Sequence, residues 1–226
     1  FFSVLFFPCR MSAPIACCWF RNDLRIHDNE CLTKAAALVR EGRCGAVLPV
    51  YYFDPRYFGT TSFGFEKTGA FRAKFLLESV VDLKQQLRGL GLDLLVLVGR
   101  PEDSLPQLLP PESVIITQQE VTSEELRIDD RVRTAIGDAD ARLELQYVWG
   151  ATLYHAADLP MRNIQKEMYN VFTPFRTKVE ERCSVRNLLP TLEPNAVPLA
   201  QIDADFDATP TFEALPWASG PPELPP

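Results

Sequence analysis

Five short runs of β-forming residues, each separated from the next by a helix-like stretch, constrain this chain more than any other feature. They are Ile15 to Phe20, Ala46 to Phe53, Asp93 to Val98, Ser113 to Gln118 and Arg142 to Trp149. The first three are nearly continuous in apolar residues, as parallel strands are when helices cover both faces. Alternation through Leu143-Glu144-Leu145-Gln146-Tyr147 marks a more exposed edge. The repeat predicts an α/β fold: a doubly wound, five-stranded parallel sheet.

The intervening stretches carry their own start and stop signals. Asp28 or Asn29 caps a helix running to about Arg40, with Gly42 just past its end. The next helix, about Phe71 to Arg88, sets Leu76, Val80, Leu83 and Leu87 on one stripe and stops at Gly89. Pro101 suits the first turn of a short helix, and Thr122-Ser123-Glu124-Glu125 offers a capping box for a helix through about Ile136. One further helix falls around Val171 to Arg182. From Thr191 onward, prolines at 194, 198, 210, 216, 221, 222, 225 and 226 leave no room for a helix or a central strand. The expected division is a non-native or targeting stub over 1–12, with Met11 as an alternative start, one domain over 13–187, and a proline-rich C-terminal linker over 188–226.

Composition narrows the chemistry. With 46% hydrophobic and 23% charged residues the chain reads as soluble and globular, and no apolar run approaches the ~20 residues of a membrane span. A net charge of −7 argues against a domain that grips nucleic acid unaided. The six cysteines show no C-x-x-C spacing and read as reduced, mostly buried thiols; in a strand, Cys17 and Cys18 face opposite ways. Two histidines, His27 and His155, are too few for a histidine-rich metal site and read as surface or capping residues, so no metal is expected.

Ligands of open α/β sheets bind beyond the carboxyl ends of the strands, where the strand order reverses. That rule nominates Arg21, Asn22 and Asp23 after the first strand, Asp54 after the second, Arg100 after the third, and Gln119 and Glu120 after the fourth. No nucleophile–base pair stands among them. The glycine-rich dinucleotide fingerprint, the phosphate-binding P-loop and the hydrolase nucleophile elbow are all missing, which removes the dehydrogenase, NTPase and hydrolase readings. The residues alone give a doubly wound domain with a polar rim for a small ligand.

One stretch goes further. Trp19-Phe20-Arg21-Asn22-Asp23-Leu24-Arg25-Ile26-His27-Asp28-Asn29 is similar to the opening strand, loop and helix of the photolyase/cryptochrome family. Leu48 to Arg56, Lys67-Thr68-Gly69 leading into Arg72, and Phe75-Leu76-Leu77-Glu78-Ser79 follow in the family's order. Lys67-Thr68-Gly69, Trp149 to His155, Asp158-Leu159-Pro160 and Val171 to Arg176 resemble the cryptochrome-DASH branch, and the likeness extends from about Ile15 to Arg186.

The resemblance implies the amino-terminal half of a two-domain blue-light flavoprotein. That half would bind an antenna chromophore, commonly methenyltetrahydrofolate. FAD, the electron-transfer tryptophans and the DNA contacts would belong to a helical domain absent from this chain, so no catalytic residue is expected here. In the complete protein, light-excited reduced flavin would split pyrimidine dimers, preferentially in single-stranded DNA. Glu120 matches the family's acidic residue on the pterin ring, where a carboxylate can accept two N–H bonds worth about 1.5–3 kcal/mol. Gln119 and Glu78 are weaker matches, Arg21, Asn22, Asp23 and Arg25 are expected to hold the strand–helix turn and the domain boundary, and Trp19 and Trp149 are expected in the core. The alternatives are a truncated signalling or interaction module without catalysis, and an adenine-nucleotide or electron-transfer domain on the same fold. Plastid, mitochondrion and nucleus all remain open as locations; secretion is not expected.

Overall fold

Each apolar run becomes a strand in the computed structural model, which describes residues 13–223 apart from 140 and 162. The expectations for residues 1–12 lie outside the described residues. The strands are β1 (Ile15–Phe20), β2 (Ala46–Phe53), β3 (Leu95–Val98), β4 (Val114–Gln118) and β5 (Glu144–Val148). The helices are α1 (Glu30–Arg40), α2 (Ala70–Gly89), the single turn α3 (Pro101–Ser104), α4 (Ser123–Asp138), the short α5 (Ile164–Glu167) and α6 (Phe172–Arg182). The sheet order is β3-β2-β1-β4-β5 and every pairing is parallel. The expected five-stranded, doubly wound sheet is therefore present, with β5 at an edge.

Two apolar layers sandwich the sheet. Ala16, Cys18 and Phe20 of β1 pack with α1 and α2, while Ile15, Cys17 and Trp19 pack with α4 and with Leu105. The alternation separates Cys17 from Cys18 as a period of two requires. Both thiols, with Cys31 and Cys44, are buried and unbridged.

Caps set the helix limits. The Asn29 side chain accepts from the Leu32 amide at 3.0 Å and starts α1. At its end Gly42, with φ 72°, lets its own amide reach Val39 O while the Arg43 amide reaches Leu38 O. α2 closes in the same way, but the left-handed residue is Gly91 (φ 77°) rather than Gly89, which lies in the last turn. The capping box at α4 does not form. Thr122 is the N-cap without a side-chain bond, because this helix start is exposed and water can serve its amides. The third strand starts at Leu95, later than the apolar run, since the Asp93 carboxylate pairs with Lys84 and Arg88.

The proline-rich segment expected as a linker runs along the domain. Val47 of β2 donates to Pro198 O and accepts from the Ala200 amide, each at 2.9 Å, making a parallel bridge with Leu199. β3 pairs with β2 only from Val50 onward, so the segment occupies the stretch that β3 leaves open. Alternation turns Pro49 the same way as Val47, which explains a proline in a strand this central: the amide it lacks faces a side with no β3 partner. Lys84, almost fully buried, donates to Leu94 O at 2.7 Å and to Phe206 O, tying the segment to α2. Trp217 meets Phe58 edge-on at 5.3 Å.

Candidate functional site

The strand order reverses between β1 and β4, and there the chain builds two polar rungs. β1 continues toward α1 on one face and β4 toward α4 on the other, so the loops after them part and leave a crevice. On the lower rung, Arg21 Nη1 donates to Asp129 Oδ1 at 2.6 Å, the two side chains being 6% and 2% exposed. The guanidinium also lies over the Trp19 ring, 4.8 Å from its centroid. Burial raises the Asp129 carboxyl above its ordinary range, and the Arg21 charge opposes that rise. On the upper rung, Asn22 Nδ2 donates to Glu120 Oε1 at 2.7 Å.

A cavity of about 230 Å³ opens beside the rungs. Its walls are the carboxyl ends of β1 and β2, Tyr57 and Phe58 of the following turn, the start of α2 with Arg72 and Phe75, and Glu125 and Ile128 of α4. Arg21 Nη2 and Glu125 Oε2 are buried and make no well-formed hydrogen bond among the described residues, although the Arg21 guanidinium lies close enough to the Tyr57 hydroxyl to oppose the rise that burial causes there. A donor and an acceptor left unpaired in one cavity suit a planar ligand with polar edges, because an orphaned buried group costs stability until something meets it. Burial also raises the Tyr51, Tyr52 and Tyr57 hydroxyls, so all three are neutral hydrogen-bonding groups near neutral pH.

The residues nominated from sequence are placed as follows. Glu120 is half-buried on the upper rung, and Gln119 beside it is exposed, anchored by its amide on Val148 O. Glu78 stands on the exposed side of α2 in a loose pair with Lys74 at 3.9 Å. It lines an open hollow of about 660 Å³ that Asn22 and Phe75 share with the cavity. Asn22 thus links Glu120 to the hollow that Glu78 lines, although Glu78 does not contact Glu120. Asp23 holds Arg25 at 2.8 Å, and Asp54 caps the turn at Pro55–Tyr57 and holds Arg56. Trp19 is core as expected, whereas Trp149 is half-buried and donates to Thr152 at 2.8 Å. His155 accepts from the Ala157 amide, a capping role.

Sequence reasoning missed Glu125, which the capping pattern had assigned to the helix start. No spacing in the sequence marks it, because Thr122-Ser123-Glu124-Glu125 reads as an ordinary capping box.

Comparison with known proteins fits this geometry. The DNA photolyase family model matches residues 16–197. The chain belongs to that family. A chloroplastic/mitochondrial cryptochrome DASH of Ostreococcus tauri is 43% identical over 216 residues, covering 89% of this chain and 39% of the relative. Cryptochrome DASH of Gloeobacter violaceus is 44% identical over 182 residues, covering 80% and 35%. A solved Synechocystis cryptochrome superposes with TM-score 0.76 at 35% identity, over 87% of this chain and 39% of that one. An archaeal photolyase from Sulfolobus tokodaii, solved with two FAD molecules, shares the fold at TM-score 0.60 and 21% identity. The photolyase/cryptochrome chain described here thus spans 35–39% of the cryptochrome DASH relatives and corresponds to their amino-terminal domain. No helix among the described residues is long and apolar enough to cross a membrane.

Proposed function

We propose that this domain is the antenna half of a cryptochrome-DASH-type photoreceptor, receiving methenyltetrahydrofolate at the switch-point crevice through Glu120. The observation that carries the reading is the place of Glu120: just past the end of β4, hydrogen-bonded to Asn22, which itself lines the cavity that holds Arg21 and Glu125. A carboxylate there would accept N–H bonds from the pterin edge, with Gln119 next to it in sequence and Glu78 on the open hollow that Asn22 also lines. When bound, the folate would supply near-ultraviolet absorption and pass excitation to a flavin. The domain itself would hold the chromophore's polar edge and keep water from one of its faces.

In the complete protein the helical domain would carry FAD and DNA, and the reaction would be light-driven splitting of pyrimidine dimers in single-stranded DNA. The present chain would have no repair activity by itself, because the flavin that performs the chemistry would sit in the helical domain. A second reading is favoured by one observation: Phe63, Phe65, Phe71 and Phe75 are each more than 70% exposed along the loop before α2 and its first turns. Aromatic surface of that kind serves an interaction module as well as it serves a domain boundary.

Titrating the chain and Glu120→Ala with methenyltetrahydrofolate separates the two. The antenna reading expects micromolar-or-weaker binding that is lost in the variant, because half a cleft leaves the ligand wet. Equal binding by both proteins would refute it, and a chain that instead captures a protein partner through the phenylalanines supports the module.

A further inference from the structure

We propose that Asn22 is the positioning residue for Glu120, and that the two together form a paired acceptor for a planar N–H-donating edge. The inference rests on the antenna reading above and names what orients its key carboxylate. A carboxylate only accepts, so the Asn22 amide nitrogen, not its oxygen, must face Glu120 Oε1, as it does at 2.7 Å. That assignment leaves Asn22 Oδ1 and Glu120 Oε2 without partners among the described residues. Two acceptors joined by a hydrogen bond complement two adjacent donors, such as the exocyclic amino group and the neighbouring ring N–H of an aminopyrimidinone. The arrangement spans the sheet's reversal point: the donor follows β1 and the acceptor follows β4, 98 residues apart in sequence.

The choice of an amide matters. Lysine or arginine at this place would hold Glu120 more firmly but would neutralise the charge that attracts N–H donors. Asparagine fixes the carboxylate and preserves its full negative charge. Glu120 is only half-buried, so without Asn22 its side chain would rotate freely and would have to be ordered on binding. Ordering one such side chain corresponds to about three- to tenfold in affinity.

The test uses the 226-residue chain with 5,10-methenyltetrahydrofolate as probe, reading Kd and the absorption band of the bound chromophore. Asn22→Ala is expected to weaken binding about three- to tenfold and to move the bound band toward that of the free folate. Asn22→Asp sets a second carboxylate against Glu120 and is expected to weaken it further. Because Asn22 is exposed, urea unfolding of the single variants should match the parent, which separates positioning from folding. Unchanged Kd and band in Asn22→Ala, with binding lost in Glu120→Ala, overturns the positioning role and leaves the antenna reading standing. Parent-like binding by Glu120→Ala, or no binding by the parent, overturns both.

Discussion

Arg21 crosses from the end of β1 to Asp129 on α4 and closes the crevice at 2.6 Å, with both side chains nearly inaccessible to water. A buried pair of this kind is costly to break from one side, because the surviving charge is left without a partner. Arg21→Met is expected to lower unfolding stability by about 3–5 kcal/mol, measured by urea denaturation. A loss below ~1 kcal/mol would place the pair among solvated surface bridges.

The same carboxylate gives a pH signature. The Asp129 carboxyl lies above its ordinary value of 3.8, chiefly through burial. Between the two values the native state binds more protons than the unfolded state, so stability falls as pH rises through that window. Asp129→Asn has no such slope. The stability of the parent relative to Asp129→Asn should therefore decline as pH is raised from 3.8 and level off above the folded value. A difference that grew with pH over this range would mean the carboxyl is depressed.

Lys84 joins the start of β3, through Leu94 O and Asp93, to the proline-rich segment, through Phe206 O. Lys84→Met removes the donor and should cost about 2–3 kcal/mol. Limited proteolysis is the sharper assay: cleavage within residues 201–210 should accelerate well before the sheet is attacked. Uniform acceleration along the chain would show that Lys84 supports the core and not the segment.

Gly91 is a second anchor. A methyl group there would sit 2.2 Å from Asn195 Oδ1, on a backbone with φ 77°. Gly91→Ala should destabilise by at least ~1–2 kcal/mol, and Asn195→Gly should recover only the part due to the clash. Full recovery by the double variant would assign the whole effect to crowding.

Thiol labelling checks the core directly. Cys17 and Cys18 are raised by burial, and Cys31 is pushed up to about 12, so none presents thiolate near neutral pH. Cys183 is half-buried and its thiol donates to Asp158 O. Site-resolved mass spectrometry on native protein should find Cys183 modified before Cys17, Cys18, Cys31 or Cys44. Early modification of Cys18 would contradict its place between β1 and α1.

The sheet was legible because its information is local. β1 and β2 are apolar along their whole length, and Asn29 and Gly42 mark α1 at either end. Glu120 and Gln119 were reachable from the rule that ligands meet strand ends. The rest depends on contacts that no spacing encodes. Asn22 and Glu120 meet across 98 residues, and Glu125 fits a capping pattern yet faces the cavity. Leu192, Val197 and Ala200 are buried although they stand among prolines without any period, so composition gave no sign that they pack on the domain.

The short pairing of Pro198–Ala200 with Val47 also bears on how copies of this chain treat one another. Unpaired main-chain groups along a sheet recruit strands from neighbouring molecules. Here the chain satisfies its own exposed margin, with a proline on each side of the gap to limit what else can pair. A proteolytic cut ahead of Pro198 would remove that cover together with the core contacts of Ala200 and Leu215, and the product would tend to self-associate strand to strand.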